Sequence, residues 1–334
     1  MEDYTKGICE AKAVKIGGID QWISIRGEDI SAPVMLVLHG GPGSTLMGLS
    51  HAYQRPWEKY YIVVNWDQRC SGRTASISGS EPEEEITFDR MLQDSVEMVD
   101  YLREHFSRKK IIVLGHSWGT ILGAALAMQY PEKLICYIST GTVVNCRREY
   151  QAMFDQLEKT YAARKDAKAL AHLKQLLPGL EKENASWDWI LDINNLIIKE
   201  GYSSVRAKDL FSSLKYEFLP LLKSPEYRLK DALHLTAYKA YIPLNEKFMF
   251  NYDLEKLPNH YEIPVYYING DTDYQTPYPV GREYALKTEA PDTAFYTLKN
   301  CAHCWDVDAP EQMTEILCEK IYPKIQPLLQ DEEK

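Results

Sequence analysis

Short apolar runs rich in Val and Ile alternate along the chain with amphipathic stretches, the pattern of a mostly parallel sheet whose strands are joined by crossover helices. The runs predict strands at Lys12–Ile16, Trp22–Arg26, Val34–Leu38, Tyr61–Asn65, Ile111–Leu114, Leu134–Ser139, Val265–Ile268 and Ala294–Leu298. Between them Phe88–Phe106 places its apolar residues on one face at helical spacing, and Ile121–Gln129 reads as a short buried helix. A last helix is expected over Pro310–Leu329, interrupted at Pro323 because proline removes a backbone donor.

From about Asn145 to His260 the alternation stops, and helical patterns such as "YQAMFDQLEKTYAARKDAKALAHLKQLL" follow one another without a strand signal. The chain therefore divides into a sheet-bearing part, 1–144 and 261–334, and a helical insertion, 145–260. The closing Asp331-Glu332-Glu333-Lys334 reads as a frayed charged tail.

Composition narrows the class. With 334 residues, 45% of them hydrophobic, the chain can build a large packed core. Its 38 Lys and Arg against 48 Asp and Glu leave a net charge of -10, which disfavours nucleic acid as a partner. No signal peptide or spanning apolar run is visible, so no membrane partner is expected. Seven cysteines, an odd number, fit free thiols in the cytoplasm.

The run "PVMLVL" leads into Leu38-His39-Gly40-Gly41-Pro42-Gly43-Ser44-Thr45. So many glycines after a strand bring backbone N–H groups close to a ligand, either a phosphate or an oxyanion. A P-loop would need a lysine after the last glycine, and Ser44 stands there; a dinucleotide fingerprint would need a third glycine where Leu46 stands. The oxyanion use remains, and it calls for a nucleophile.

That nucleophile is Ser117. Directly after "KIIVL", Gly115-His116-Ser117-Trp118-Gly119 fits Gly-x-Ser-x-Gly between a strand and a helix, where small residues allow a sharp turn that exposes the serine. A serine hydroxyl needs a base held by a third group. His303 alone of eight histidines follows the last strand and precedes the last helix, so it takes the base role. The acid falls in Asn269-Gly270-Asp271-Thr272-Asp273, where Asp273 is preferred to Asp271 because it reaches further towards the histidine loop. The pair Cys301 and Cys304 around His303 lacks a second Cys or His pair for zinc, so neither metal nor cofactor is expected.

Three stretches, "HGGPG" at His39–Gly43, "DQRCSGRT" at Asp67–Thr74 and "GHSWGT" at Gly115–Thr120, resemble the α/β-hydrolases, and within them the proline iminopeptidase-like serine peptidases. The resemblance covers about 11–144 and 261–329. It implies an α/β-hydrolase fold, a mostly parallel twisted sheet flanked by helices, with 145–260 as a helical cap. It also departs: Cys70 stands where the family usually has glycine, and Cys304-Trp305 follow the histidine where a smaller residue is common.

The expected chemistry is acyl transfer to water. Ser117 attacks, His303 moves the proton, Asp273 orients the imidazole, and the N–H groups of Gly41 and Trp118 hold the oxyanion. The resemblance implies an aminopeptidase acting on short peptides whose free amino group is held by carboxylates of the insertion. Glu246 in "LNEKFMFN" is the candidate for that carboxylate. The alternative is an esterase or amidase acting on small acyl substrates, since fold and triad do not choose a substrate. A non-catalytic binding protein is argued against by the intact Ser117, Asp273 and His303. The sequence leaves the oligomeric state open.

Overall fold

The computed structural model describes residues 4–228, 231–234 and 238–330; the charged tail at 331–334 lies outside them. All eight expected strands are present, as β1 (Ile8–Ile16), β2 (Ile19–Gly27), β3 (Val34–Leu38), β4 (Ile62–Asp67), β5 (Ile111–His116), β6 (Leu134–Thr140), β7 (Val265–Gly270) and β8 (Thr293–Leu298). They form one sheet in the order β1-β2-β4-β3-β5-β6-β7-β8. β1 with β2 and β2 with β4 pair antiparallel, and every later pair is parallel.

The central strands are buried on both faces, as parallel strands covered by helices must be. Val34, Leu36 and Leu38 of β3 enter one core with Ile111 and Val113 of β5. Met35, Val37, Ile112 and Leu114 enter the opposite core, which is the two-residue period of a pleated strand. Helices α1 (Gly72–Ser78), α2 (Phe88–His105) and α3 (Trp118–Gln129) follow strands of the sheet. α2 begins at Thr87, whose side chain accepts the Arg90 N–H, and buries Met91, Leu92, Met98, Val99 and Leu102.

The expected break at Pro323 is corrected by the structure. The C-terminal helix widens into a π turn over Ile316–Ile321 and resumes as Tyr322–Gln330. A proline ring clashes with the carbonyl four residues earlier, here Glu319, and the wider turn moves that carbonyl aside. Burial of Ile316, Leu317, Ile321 and Ile325 holds the helix on the sheet.

Between β6 and β7 the described residues form helical turns, among them α4 (Cys146–Arg164), α5 (Ala167–Leu176) and α6 (Trp187–Lys199). They enclose their own apolar cluster, with Phe154, Leu157, Tyr161, Ile193 and Ile197 buried in it. After α6 the helices are short and change type: α-helical at Leu210–Ser213, π-helical at Leu214–Phe218, α-helical again at Leu219–Leu221.

Candidate active site

Ser117 stands on the turn from β5 into α3 with φ 54° and ψ −120°, a strained backbone for a residue with a side chain. Two glycines make the turn possible. A Cβ at Gly115 would meet the Gly119 carbonyl at 2.4 Å, and one at Gly119 would meet the Leu38 carbonyl at 2.1 Å. His116 and Trp118 on either side are buried, while Ser117 keeps partial exposure.

The glycine-rich loop after β3 lies against this turn: a Cβ at Gly40 would stand 3.1 Å from the Ser117 Cβ. Gly41, at φ +110°, occupies a conformation that side chains rarely adopt. Trp118 opens α3, so its N–H is one of the helix-terminal donors without an intrahelical acceptor.

His39 braces the loop and does no acid–base work there. Its Nδ1–H donates to the Gly40 carbonyl (2.8 Å), and its Nε2 accepts the Gln68 N–H (3.1 Å). Burial pushes its pKa down to about 4, so it stays neutral. The "DQRCSGRT" stretch is likewise scaffolding. Gln68 accepts the Trp118 indole N–H (3.2 Å), and Asp67 Oδ2 accepts the Arg73 N–H (2.7 Å) and the Tyr227 hydroxyl (2.6 Å). Desolvation raises Asp67 to about 7. Cys70 has φ 58°, the left-handed region that favours glycine, the residue the resembling family usually carries there.

Asp273 and His303 form a buried polar pair. Asp273 Oδ1 accepts the N–H groups of Gln275 (2.8 Å) and Thr276 (2.9 Å). Its Oδ2 accepts the Thr276 hydroxyl (2.9 Å) and lies 2.9 Å from His303 Nδ1. A carboxylate that accepts on every side makes Nδ1 the protonated nitrogen, leaving Nε2 free to accept a proton. Asp271 serves the turn: its N–H donates to Leu298 O (2.9 Å), and its Oδ1 accepts the Cys301 N–H (3.4 Å).

The Ser117 turn and the His303 loop meet over Gly141. The Ser117 N–H donates to Thr140 O (2.9 Å), and a Cβ on the next residue, Gly141, would stand 2.9 Å from His303 Cε1. The His116 ring lies tilted against the His303 ring, centroid to centroid 4.7 Å. Burial first, and then the neighbouring His303, hold His116 well below the usual histidine range, so it does not compete for the proton.

Glu246 sits elsewhere in the design: its Oε1 accepts the Trp187 N–H (2.6 Å) at the start of α6, a helix-terminal role. Two other carboxylates face the histidine loop. Asp306 is raised to about 6 by desolvation, with Glu217 and Asp308 adding repulsion and His303 attraction. Glu217 is also raised, mainly by burial. Among the described residues no Lys or Arg pairs with either. Both were missed in sequence, although "CAHCWDVD" shows the acids after the histidine and Glu217 is the lone acid in "LFSSLKYEFLPLL".

Asp308 is a latch. Its carboxylate accepts the Ser204 hydroxyl (2.7 Å) and the N–H groups of Val205 (3.0 Å), Arg206 (3.1 Å) and Ala302 (3.0 Å), tying the insertion to the histidine loop. A cavity of about 760 Å³ lined by Phe88, Ile121, Ala125, Met128, Phe248 and Tyr252 lies along α3 and does not include Ser117 or His303. The seven cysteines are free thiols. Among the described residues no group of three or more His, Cys, Asp or Glu is placed to hold a metal, and no helix is long and apolar enough to cross a membrane.

Residues 33–180 match the family model described as alpha/beta hydrolase fold. A probable aminopeptidase, YbaC, of Bacillus subtilis strain 168 is 27% identical over 321 residues, 93% of this chain and 96% of that protein. A proline iminopeptidase of Arabidopsis thaliana is 24% identical over 68% of this chain and 59% of that protein. The crystal structure of a proline iminopeptidase-related protein from Thermus thermophilus superposes with a TM-score of 0.65 at 20% identity, covering 96% of this chain and 99% of that one.

Proposed function

For a chain that carries the α/β-hydrolase fold, we propose a serine hydrolase that releases N-terminal residues from short peptides through an acyl-enzyme. The observation that supports the chemistry is the Asp273–His303 pair beside a strained, partly exposed Ser117. Ser117 Oγ attacks the carbonyl while His303 Nε2 takes its proton, and Asp273 holds the ring and stabilises its charged form. The N–H groups of Gly41 and Trp118 receive the negative oxygen, each such donor contributing about 3 kcal/mol at the transition state. His303 then protonates the leaving amine, and water resolves the acyl-enzyme.

The aminopeptidase reading draws on the relatives' names and on Asp306 and Glu217. Two half-buried carboxylates without a cation of their own suit a substrate's free ammonium group, which would supply the missing charge. Glu246, engaged with α6, is a weaker candidate. In this reading 145–260 roofs the core formed by 1–144 and 261–334. The free thiols suit a reducing compartment, the cytoplasm.

The test is turnover of aminoacyl anilides with free or blocked amino groups beside short-chain acyl esters, with Ser117→Ala as control. The reading expects cleavage of the unblocked substrates alone. Asp306→Asn with Glu217→Gln should raise their KM about ten-fold or more, as loss of a charge pair does, with a smaller change in kcat. Ester-only turnover would replace it with the esterase or amidase alternative, and activity surviving in Ser117→Ala would remove the mechanism.

A further inference from the structure

The helical strap at 206–228 is built inside out. Its outer side exposes Leu210 (90%), Phe211 (79%), Leu214, Phe218, Leu219 and Leu222, the last four about half exposed. Two of its three acids turn inward, Glu217 partly buried and Glu226 buried, while Asp209 stays exposed. Monomeric proteins rarely leave such a contiguous apolar strip to water without a partner for it.

Buried latches hold both ends of the strap. At one end Asp308 binds the backbone of Val205 and Arg206. At the other, Glu226 pairs with Arg26 (2.8 Å), and the Tyr227 hydroxyl donates to Asp67. Leu221 is buried between them, its Cδ1 only 2.6 Å from where a Cβ on Gly48 would stand. The apolar strip is thus a fixed surface, spanning from the histidine loop to the turn after the glycine-rich loop.

Charge selects the partner. Exposed on this strap are Arg206, Lys208, Lys215, Lys223 and Arg228 against Asp209, in a chain whose net charge is -10. We propose that residues 206–228 dock on the surface of an anionic lipid bilayer, with the Leu and Phe side chains in the interface and the basic residues on the headgroups. Leucine and phenylalanine bordered by lysine are the composition of interfacial helices. A two-fold dimer through the strap would set the same five cations against themselves. Protein interfaces centre on Tyr, Trp and Arg, whereas this strip is Leu and Phe. Contact of this kind needs no spanning helix, and it would bring substrates at the bilayer surface to the site mouth.

Flotation of the full chain with phosphatidylcholine vesicles, with and without phosphatidylglycerol, tests this. The chain should float with the anionic vesicles at low salt and be released by high salt. Phe211→Ser with Leu214→Ser should weaken partitioning about ten-fold or more, with turnover of a small soluble substrate unchanged. Lys208→Gln, Lys215→Gln and Lys223→Gln together should weaken it about a hundred-fold on anionic vesicles only. Ser117→Ala should float like the parent, which separates this proposal from the catalytic one. Failure to float, equal flotation of the Phe211/Leu214 variant, or a concentration-dependent dimer abolished by that variant in place of lipid binding would each overturn it.

Discussion

The loops at the ends of β5 to β8 and the insertion between β6 and β7 are built by different rules. In these loops, and in the glycine-rich loop after β3 that packs on them, position is set by close approach: a Cβ at Gly115 or Gly119 would collide with backbone, and one at Gly40 or Gly141 would crowd Ser117 or His303. In the insertion, position is set by polar latches, with Asp308 gripping 204–206 and Asp67 gripping Tyr227. The insertion also has its own apolar cluster, apart from the two that cover the sheet. Under the proposed mechanism the chemistry falls to the loops and the selectivity to the insertion, which still packs Cys146, Tyr241, Leu244 and Leu254 into the core of the sheet.

Three changes would break or sharpen this contrast. The largest effect belongs to the loops: Asp273→Asn should lower kcat about 10⁴-fold, because an amide no longer fixes the imidazole tautomer, with thermal stability little altered. Steady-state kinetics beside a melting curve reads both. Next, Asp308→Ala should cost about 3 kcal/mol or more, since it strands the N–H groups of Val205 and Ala302 and the buried Ser204 hydroxyl. Its melting point should fall well below that of Asp273→Asn, reversing the order seen in kcat if the latch is structural and the dyad chemical.

The third effect, the smallest per unit of pH, is a dependence carried by Asp67. Its folded pKa is raised from 3.8 to about 7, so the folded state holds its proton more tightly than the unfolded chain. The stability it contributes is complete below about pH 4 and is lost as pH rises towards the folded value. The slope is at most about 1.4 kcal/mol per pH unit for one group. Denaturant melts across that window should show stability falling with pH, and Asp67→Asn should flatten the fall.

The same contrast explains what the sequence could reveal. Strands β3 to β7 were readable because strands buried on both faces demand continuous apolar runs, and the ends of the eight shifted by only a few residues, as β1 did in starting at Ile8. Ser117, Asp273 and His303 stand out in the sequence as candidates because each follows a strand in a short polar turn, glycine-marked for the first two, and the structure pairs Asp273 with His303. Asp306 and Asp308 were passed over because their roles depend on distant partners: Asp308 on residues about a hundred positions away, Asp306 on the helix that carries Glu217. Glu246 looked like a ligand because it is an acid near the end of the insertion, but helix α6, starting 59 residues earlier, claims its oxygen. The helix through Pro323 was hidden by a π turn, which no periodicity announces.

The account rests on Ser117 being a nucleophile activated by His303 and Asp273. Labelling the protein with a fluorophosphonate and mapping the adduct by mass spectrometry tests this most directly. The account predicts one stoichiometric adduct on Ser117, formed far more slowly in His303→Ala and absent in Ser117→Ala. Labelling elsewhere, or at an undiminished rate in His303→Ala, would contradict it.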